Sequence, residues 1–169
     1  MQYHIYFVII SNNNFLGVKM KQKSYVMIKP EFANKSIIIL LVKEKLASNG
    51  IKIEEEGYIQ YDVPHARQHY HEHVNKPFYP ELEQYLTSDK AYGMVVSGDN
   101  AIAKIRALCG STKNPEKGTI RHNIPRLLNM PISATKNVVH SSDSPEAADL
   151  EIAIFHELKN KYLNSNKTK

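Results

Sequence analysis

From Ser24 to Leu158 the chain alternates between strand-like and helix-like stretches, and this alternation restricts its fold more than any other feature. The stretch SYVMIK, with β-branched and aromatic residues ended by Pro30, predicts a strand. NKSIIILLVKEKLASNG contains an Ile/Leu/Val run that would suit a strand, but its length, its KEKLA end and the Asn49-Gly50 stop favour a helix. IKIEEEGYIQY alternates as a strand does. VPHARQHYHEHV, opened by a proline, and YPELEQYLT predict two helices. AYGMVVSG predicts another strand, and DNAIAKIRALCG a helix with Asp99 or Asn100 as cap and Gly110 as stop. Residues 110–136 read as a long loop and NVVHS as a short strand. DSPEAADLEIAIFHEL predicts a helix that Ser144 caps, with Pro145 in the first turn and Ala147, Leu150, Ile154 and Leu158 as its buried stripe.

The resulting order, β-α-β-α-α-β-α-loop-β-α, predicts an α/β fold. With four strands it is an α+β sandwich of the ferredoxin-like βαββαβ kind, a four-stranded antiparallel sheet with helices packed on it. A length of 169 residues suits one domain with a real core. Residues 1–23 read as an N-terminal extension: a strand-like run, an Asn-rich turn, then Lys19, Lys21 and Lys23, with a second methionine at Met20. Residues 24–163 read as the domain and 164–169 as a Lys-rich tail. The run IYFVII at 5–10 is too short to span a membrane. It has no basic region ahead of it and SNNN after it, so no signal peptide and no membrane partner are expected. Cys109 is the only cysteine, which excludes an internal disulfide and points to a reducing, cytoplasmic setting.

A net charge of +5 points to an anionic partner. Between Lys104 and Arg126 there are six Lys or Arg and one acid, Glu116, set among loop-building glycines, threonines and prolines. Arg106, Thr112 and Arg121 there are the donor types a polyphosphate needs. Lys29 ends the first strand, where a point charge could meet a terminal phosphate. The chain contains neither GxxxxGK[ST] nor a strand-linked GxGxxG, which argues against a P-loop or a dinucleotide site. His65, His69 and His73, spaced i, i+4, i+8, would share one helix face; without a further ligand segment a polar face is the expectation over a metal site. His140 ends a strand just before a capped helix, a position that favours anions. Glu151, two turns into that helix, could reach back and fix the ring's tautomer, freeing its other nitrogen to attack. A histidine of the capping region without chemistry is the alternative.

Taken together, YVMIKPE, HYHEHVNKPFYPEL, GMVVSGDNAIAKIRALCGSTKNP, GTIRHNI and NVVHSSDSPEAADLEI resemble, in order, the nucleoside diphosphate kinase family from Ser24 to about Leu158. The resemblance implies ping-pong transfer of a γ-phosphate between nucleoside tri- and diphosphates. It implies His140 as nucleophile, Glu151 as the acid orienting it with Ser142 beside it, and Lys29 and Tyr70 near the transferring phosphate. It implies Phe78 stacked on the base, Leu82 lining the same slot, Arg106, Thr112 and Arg121 on the phosphates, and Asn137 on the sugar hydroxyl. Mg²⁺ would be held mainly through the nucleotide, and the subunit would form a homo-oligomer, tetramer or hexamer. The chain departs from the family in having Ser141 after the histidine in place of glycine, KPE for KPD, and Ser36 for a glycine. Its loop is shorter between Thr112 and Gly118 and longer between Arg121 and Asn137. A nucleotide-binding protein of the same fold with little turnover, and a basic nucleic-acid-binding module, are the alternative functions.

Overall fold

Tyr25, Val26, Met27 and Ile28, consecutive residues of β1 (Lys21–Ile28), are all fully buried, so this strand must be covered on both faces. The structure, a computed structural model, describes residues 21–167 and meets that demand with a four-stranded sheet between two helical layers. The apolar run at 5–10 and the Asn-rich turn lie outside the described residues. Strands β2 (Lys52–Ile59), β3 (Ala91–Asp99) and β4 (Val139–Ser141) complete the sheet in the order β2-β3-β1-β4, and every pairing is antiparallel. This is the ferredoxin-like arrangement expected from the order of elements.

The two-residue period of β1 sorts the core. Val26 and Ile28 meet Phe32 and Ala33 of α1 (Pro30–Ala33) and Ile38, Val42 and Leu46 of α2 (Ser36–Ala47). The same layer holds Ile105 of α5 (Ala101–Cys109) and Ile120 and Ile124 of α6 (Ile120–Leu127). Tyr25 and Met27 meet Ala66 of α3 (Val63–His69), Leu82 and Leu86 of α4 (Tyr79–Thr87), and Phe155 of α7 (Pro145–Lys167).

Several details differ from the sequence reading. The first strand starts at Lys21, inside the stretch read as an extension. The supposed loop 110–136 contains α6, which buries Ile120 and Ile124 at i, i+4; Gly118 and Pro125 disguise it. The VPHARQHYHEHV helix stops at His69 because Tyr70 leaves helical geometry, and a 3₁₀ turn, His71–His73, follows. His65 and His69 are buried, so the expected polar histidine face does not exist. Asn100 caps α5 by position only: it sits at φ 51° and makes no side-chain cap bond. The last helix runs on to Lys167, through most of the expected tail, and its buried stripe is Ala148, Glu151, Ile154, Phe155 and Leu158.

Gly93 is where α7 presses hardest on the sheet. A Cβ there would lie 2.6 Å from Phe155 Cδ2 and 2.7 Å from Tyr25 Oη, both in the packed layer beneath α7. Gly93→Ala is therefore expected to lower the unfolding free energy by about 1–3 kcal/mol, read as a shift of the urea midpoint.

Candidate active site

The backbone ahead of His140 is built to aim it. Val139 N–H bonds to Asn137 O at 3.0 Å, and Val138 between them sits at φ 74°. That is a tight γ-turn in a region that β-branched residues rarely enter. Lys29 N–H holds the Val138 carbonyl at 2.9 Å, and the chain leaves the turn as β4, pairing Met27 with His140. His140 thereby shares the α7 face of the sheet with Met27, while Val139 and Ser141 turn to the other face. The following helix opens with Ser144, whose hydroxyl accepts from Ala147 N–H at 3.0 Å.

Glu151, in the buried stripe of α7, meets the ring. Its Oε1 lies 2.7 Å from His140 Nε2 and 3.4 Å from His69 Nε2, while Oε2 accepts from Ser142 Oγ at 2.6 Å. Ser142 Oγ in turn accepts from Tyr25 N–H at 2.9 Å, which ties the carboxylate to the central strand. Burial raises the Glu151 pKa, and His69 and Ser142 oppose that rise. A carboxylate only accepts, so the His140 proton sits on Nε2 and the unshared pair on Nδ1. Tyr61 Oη, 2.8 Å from His69 Nδ1, completes a chain from Tyr61 through His69 to Glu151.

The ring and its surroundings form the wall of a cavity of about 1470 Å³, roomy for a nucleotide. Lys29 is 5% exposed, and its Nζ reaches the carbonyl of Thr135 at 2.7 Å. Burial first, then Arg121, brings its pKa down to about 7. Arg121 donates to the carbonyls of Gly110 and, at 2.8 Å, Val139. Gly110 sits at φ 80°, and a side chain there would collide with Thr119, so the Arg121 anchor requires glycine. Burial, then Lys29 and Arg121, hold the His140 pKa down to about 3, so the imidazole is neutral and nucleophilic at pH 7.

Ten of the eleven residues singled out from the sequence line this cavity. These are Lys29, Tyr70, Phe78, Leu82, Arg106, Thr112, Arg121, Asn137, His140 and Glu151. Ser142 lies behind, fully buried against Glu151. Phe78 is 48% exposed, an aromatic face open to the cavity, with His73 edge-on to it at 5.6 Å. Asn137 Nδ2 is held by Ala134 O at 2.6 Å, and its buried Oδ1 has no partner among the described residues. Tyr70 stacks on His69 at 4.5 Å between centroids. Sequence reasoning missed His69, His73 and Tyr61. The His69-Tyr70 pair beside a site tyrosine was the available signal; the Tyr61 contact depends on tertiary packing alone.

A carboxylate-oriented neutral histidine in one cavity with Lys29, Arg106 and Arg121 has the make-up of a phosphotransferase site. The nucleoside diphosphate kinase family matches the chain over residues 22–160. The chain is 38% identical over 139 residues to a nucleoside diphosphate kinase of Listeria welshimeri, covering 80% of this chain and 89% of that one. It is 36% identical to that of Methanobrevibacter smithii over 80% of this chain and 87% of the relative. The structure of the Halobacterium salinarum nucleoside diphosphate kinase in complex with CDP superposes with a TM-score of 0.71 at 30% identity, over 80% of this chain and 88% of that one. This chain belongs to the nucleoside diphosphate kinase family.

Two pH dependences follow from the electrostatics. Because His140 is neutral down to about pH 3, its phosphorylation by Mg²⁺-saturated ATP should show no loss near the ordinary histidine pKa of about 6.5. A rapid-quench rate that falls as pH is lowered through about 6.5 would contradict the arrangement. Lys29 works in the opposite sense: it loses its charge as pH rises through about 7. Nucleotide affinity should then weaken, and binding should take up a proton above pH 7, as calorimetry in buffers of different ionisation enthalpy would show.

Proposed function

We propose that the chain transfers γ-phosphate by a ping-pong route through a phosphohistidine at His140. The observation that carries this is the 2.7 Å bond from His140 Nε2 to buried Glu151, which leaves the Nδ1 pair for attack. Nδ1 attacks the γ-phosphorus of a nucleoside triphosphate. The bond to the β,γ-bridging oxygen breaks, and the diphosphate leaves with that electron pair. A second nucleoside diphosphate then attacks through its terminal oxygen; the N–P bond breaks and its pair returns to Nδ1. Glu151 stabilises the ring's Nε2–H while Nδ1 carries phosphate.

Lys29, Arg106, Arg121 and Thr112 would hold the phosphates. The carbonyl that Lys29 now grips is a stand-in that a phosphoryl oxygen can replace. Phe78 would stack on the base beside Leu82, and stacking is tolerant of base identity. The unpartnered Asn137 Oδ1 suits a ribose hydroxyl. Tyr70 would close the wall beside the nucleophile. Lys29, Arg106 and Arg121 near the ring fit Mg²⁺ arriving on the phosphates, with exposed Asp143 at the cavity to meet its water shell. When bound, Mg²⁺ would neutralise charge across the phosphates. Ser141 departs from the family, but its side chain faces away from His140 across β4.

A homo-oligomer, tetramer or hexamer, goes with this function. It is supported by apolar side chains left in solvent on α2 and α6: Leu40 at 63% and Leu127 at 69% exposed. A cytoplasmic setting is supported by the unpaired Cys109. Among the described residues no helix is long and apolar enough to cross a membrane.

Incubation with γ-labelled ATP and Mg²⁺ should yield acid-labile, alkali-stable protein phosphate that GDP removes as labelled GTP. His140→Ala should abolish the label and cut turnover by about 10⁴-fold or more. Label persisting in that variant would mean that another residue is the nucleophile. Phe78→Ala should raise KM roughly tenfold for purine and pyrimidine diphosphates alike; loss confined to one base would argue against stacking.

A further inference from the structure

Three donor atoms stand close enough to share one metal ion. His69 Nε2, His140 Nε2 and Glu151 Oε1 are separated pairwise by 3.1, 2.7 and 3.4 Å. Two imidazoles and one carboxylate form the ligand set of an open zinc site with a fourth position for water. A metal bonded to each at about 2.0–2.1 Å would stand about 1 Å above their plane, as the centre of a slightly narrowed tetrahedron does. The ligands come from three elements, α3, β4 and α7, each fixed by the core. Outer partners are already in place: Tyr61 Oη on His69 Nδ1 at 2.8 Å, and Ser142 Oγ on Glu151 Oε2 at 2.6 Å.

We propose that His69, His140 and Glu151 bind a zinc-class divalent cation, and that the bound ion blocks phosphoryl acceptance. The blocking half rests on His140 being the phosphoryl acceptor. The ion takes the Nε2 pair of both rings, so each imidazole must carry its proton on Nδ1. On His140 that removes the unshared pair needed to attack phosphorus. On His69 the new Nδ1–H donates to Tyr61 Oη, which changes from donor to acceptor. Both protons stay on their rings, and no oxidation is involved. Mg²⁺ prefers oxygen ligands and a near-octahedral shell, so the substrate's own metal does not compete here.

The test starts with Co²⁺ alone, added to the nucleotide-free protein. Intense visible ligand-field bands should saturate at one ion per chain, and Zn²⁺ should displace them. His69→Gln should remove the bands, with circular dichroism confirming the fold. Tyr61→Phe keeps all three ligands and should weaken Zn²⁺ about tenfold or more. No bands, or bands unchanged in both variants and so owed to surface histidines such as His71, would overturn the site. Zinc-loaded protein, freed of excess ion by gel filtration, should form phosphohistidine from Mg²⁺-ATP at least about tenfold more slowly, and a chelator should restore the rate. Bands that depend on His69 with an undiminished rate would overturn the blocking half alone. Label found elsewhere than His140 would overturn the phosphohistidine route while leaving the Co²⁺ result to decide the metal site.

Discussion

The carboxylate of Glu151 sits in the stripe that α7 buries, where an unpaired charge would cost several kcal/mol. The structure avoids that cost with hydrogen bonds to His140 and Ser142 and with His69 Nε2 at 3.4 Å, three partners drawn from different segments. Each partner has a second obligation. Ser142 answers to the backbone of β1, His69 to Tyr61, and His140 to the register of β4. Removing the carboxylate would therefore release the His140 tautomer and loosen three contacts between the sheet and its helices. Orientation of the ring and integrity of the α7 layer depend on the same atoms.

The sheet makes this possible because its central strand is covered twice. Alternation along β1 sends Tyr25 and Met27 toward α7 and Val26 and Ile28 toward α2, and β4, paired to it, inherits the same division. His140 then falls on the α7 side without any loop having to carry it there. The strained turn at Val138 is the local cost. It is held by the bond from Lys29 N–H, so the lysine whose side chain lines the cavity also fixes the backbone that aims His140.

What could be read from the sequence was whatever depends on local spacing. His140 before a Ser144-capped helix, with Glu151 two turns on, is a short-range pattern, and the structure closes it with one hydrogen bond. The strands and most helices follow from two-residue and 3.6-residue periods in the same way. What stayed hidden depends on distant packing. His65 and His69 look like a polar face until α7 and the sheet cover them. Helix α6 was masked by Gly118 and Pro125, although its Ile120–Ile124 pair finds the core. The stripe of α7 matches the expectation at Ile154 and Leu158, but its first half is Ala148 and Glu151, one residue on from Ala147 and Leu150, because Glu151, a charge, belongs in it, and hydrophobic pattern alone cannot show that. Asn100 has a cap's composition but adopts a left-handed backbone that turns its side chain from the task.

One electrostatic arrangement serves both binding and reactivity. Burial first, then Lys29 and Arg121, lower the His140 pKa, which keeps its unshared pair at neutral pH, and in the proposed transfer those cations would also attract the phosphate. The two effects would conflict if the ring had to stay electron-rich after transfer. They would not, because an arriving phosphoryl group would offset the charges of Lys29 and Arg121, which together with burial lower the ring's basicity. The Nε2–H bond to Glu151 would then strengthen as Nδ1 took on phosphorus. In the proposed transfer the neighbouring charges would thus favour a neutral ring beforehand and tolerate a more positive one afterwards, once Lys29 has exchanged the Thr135 carbonyl for phosphate.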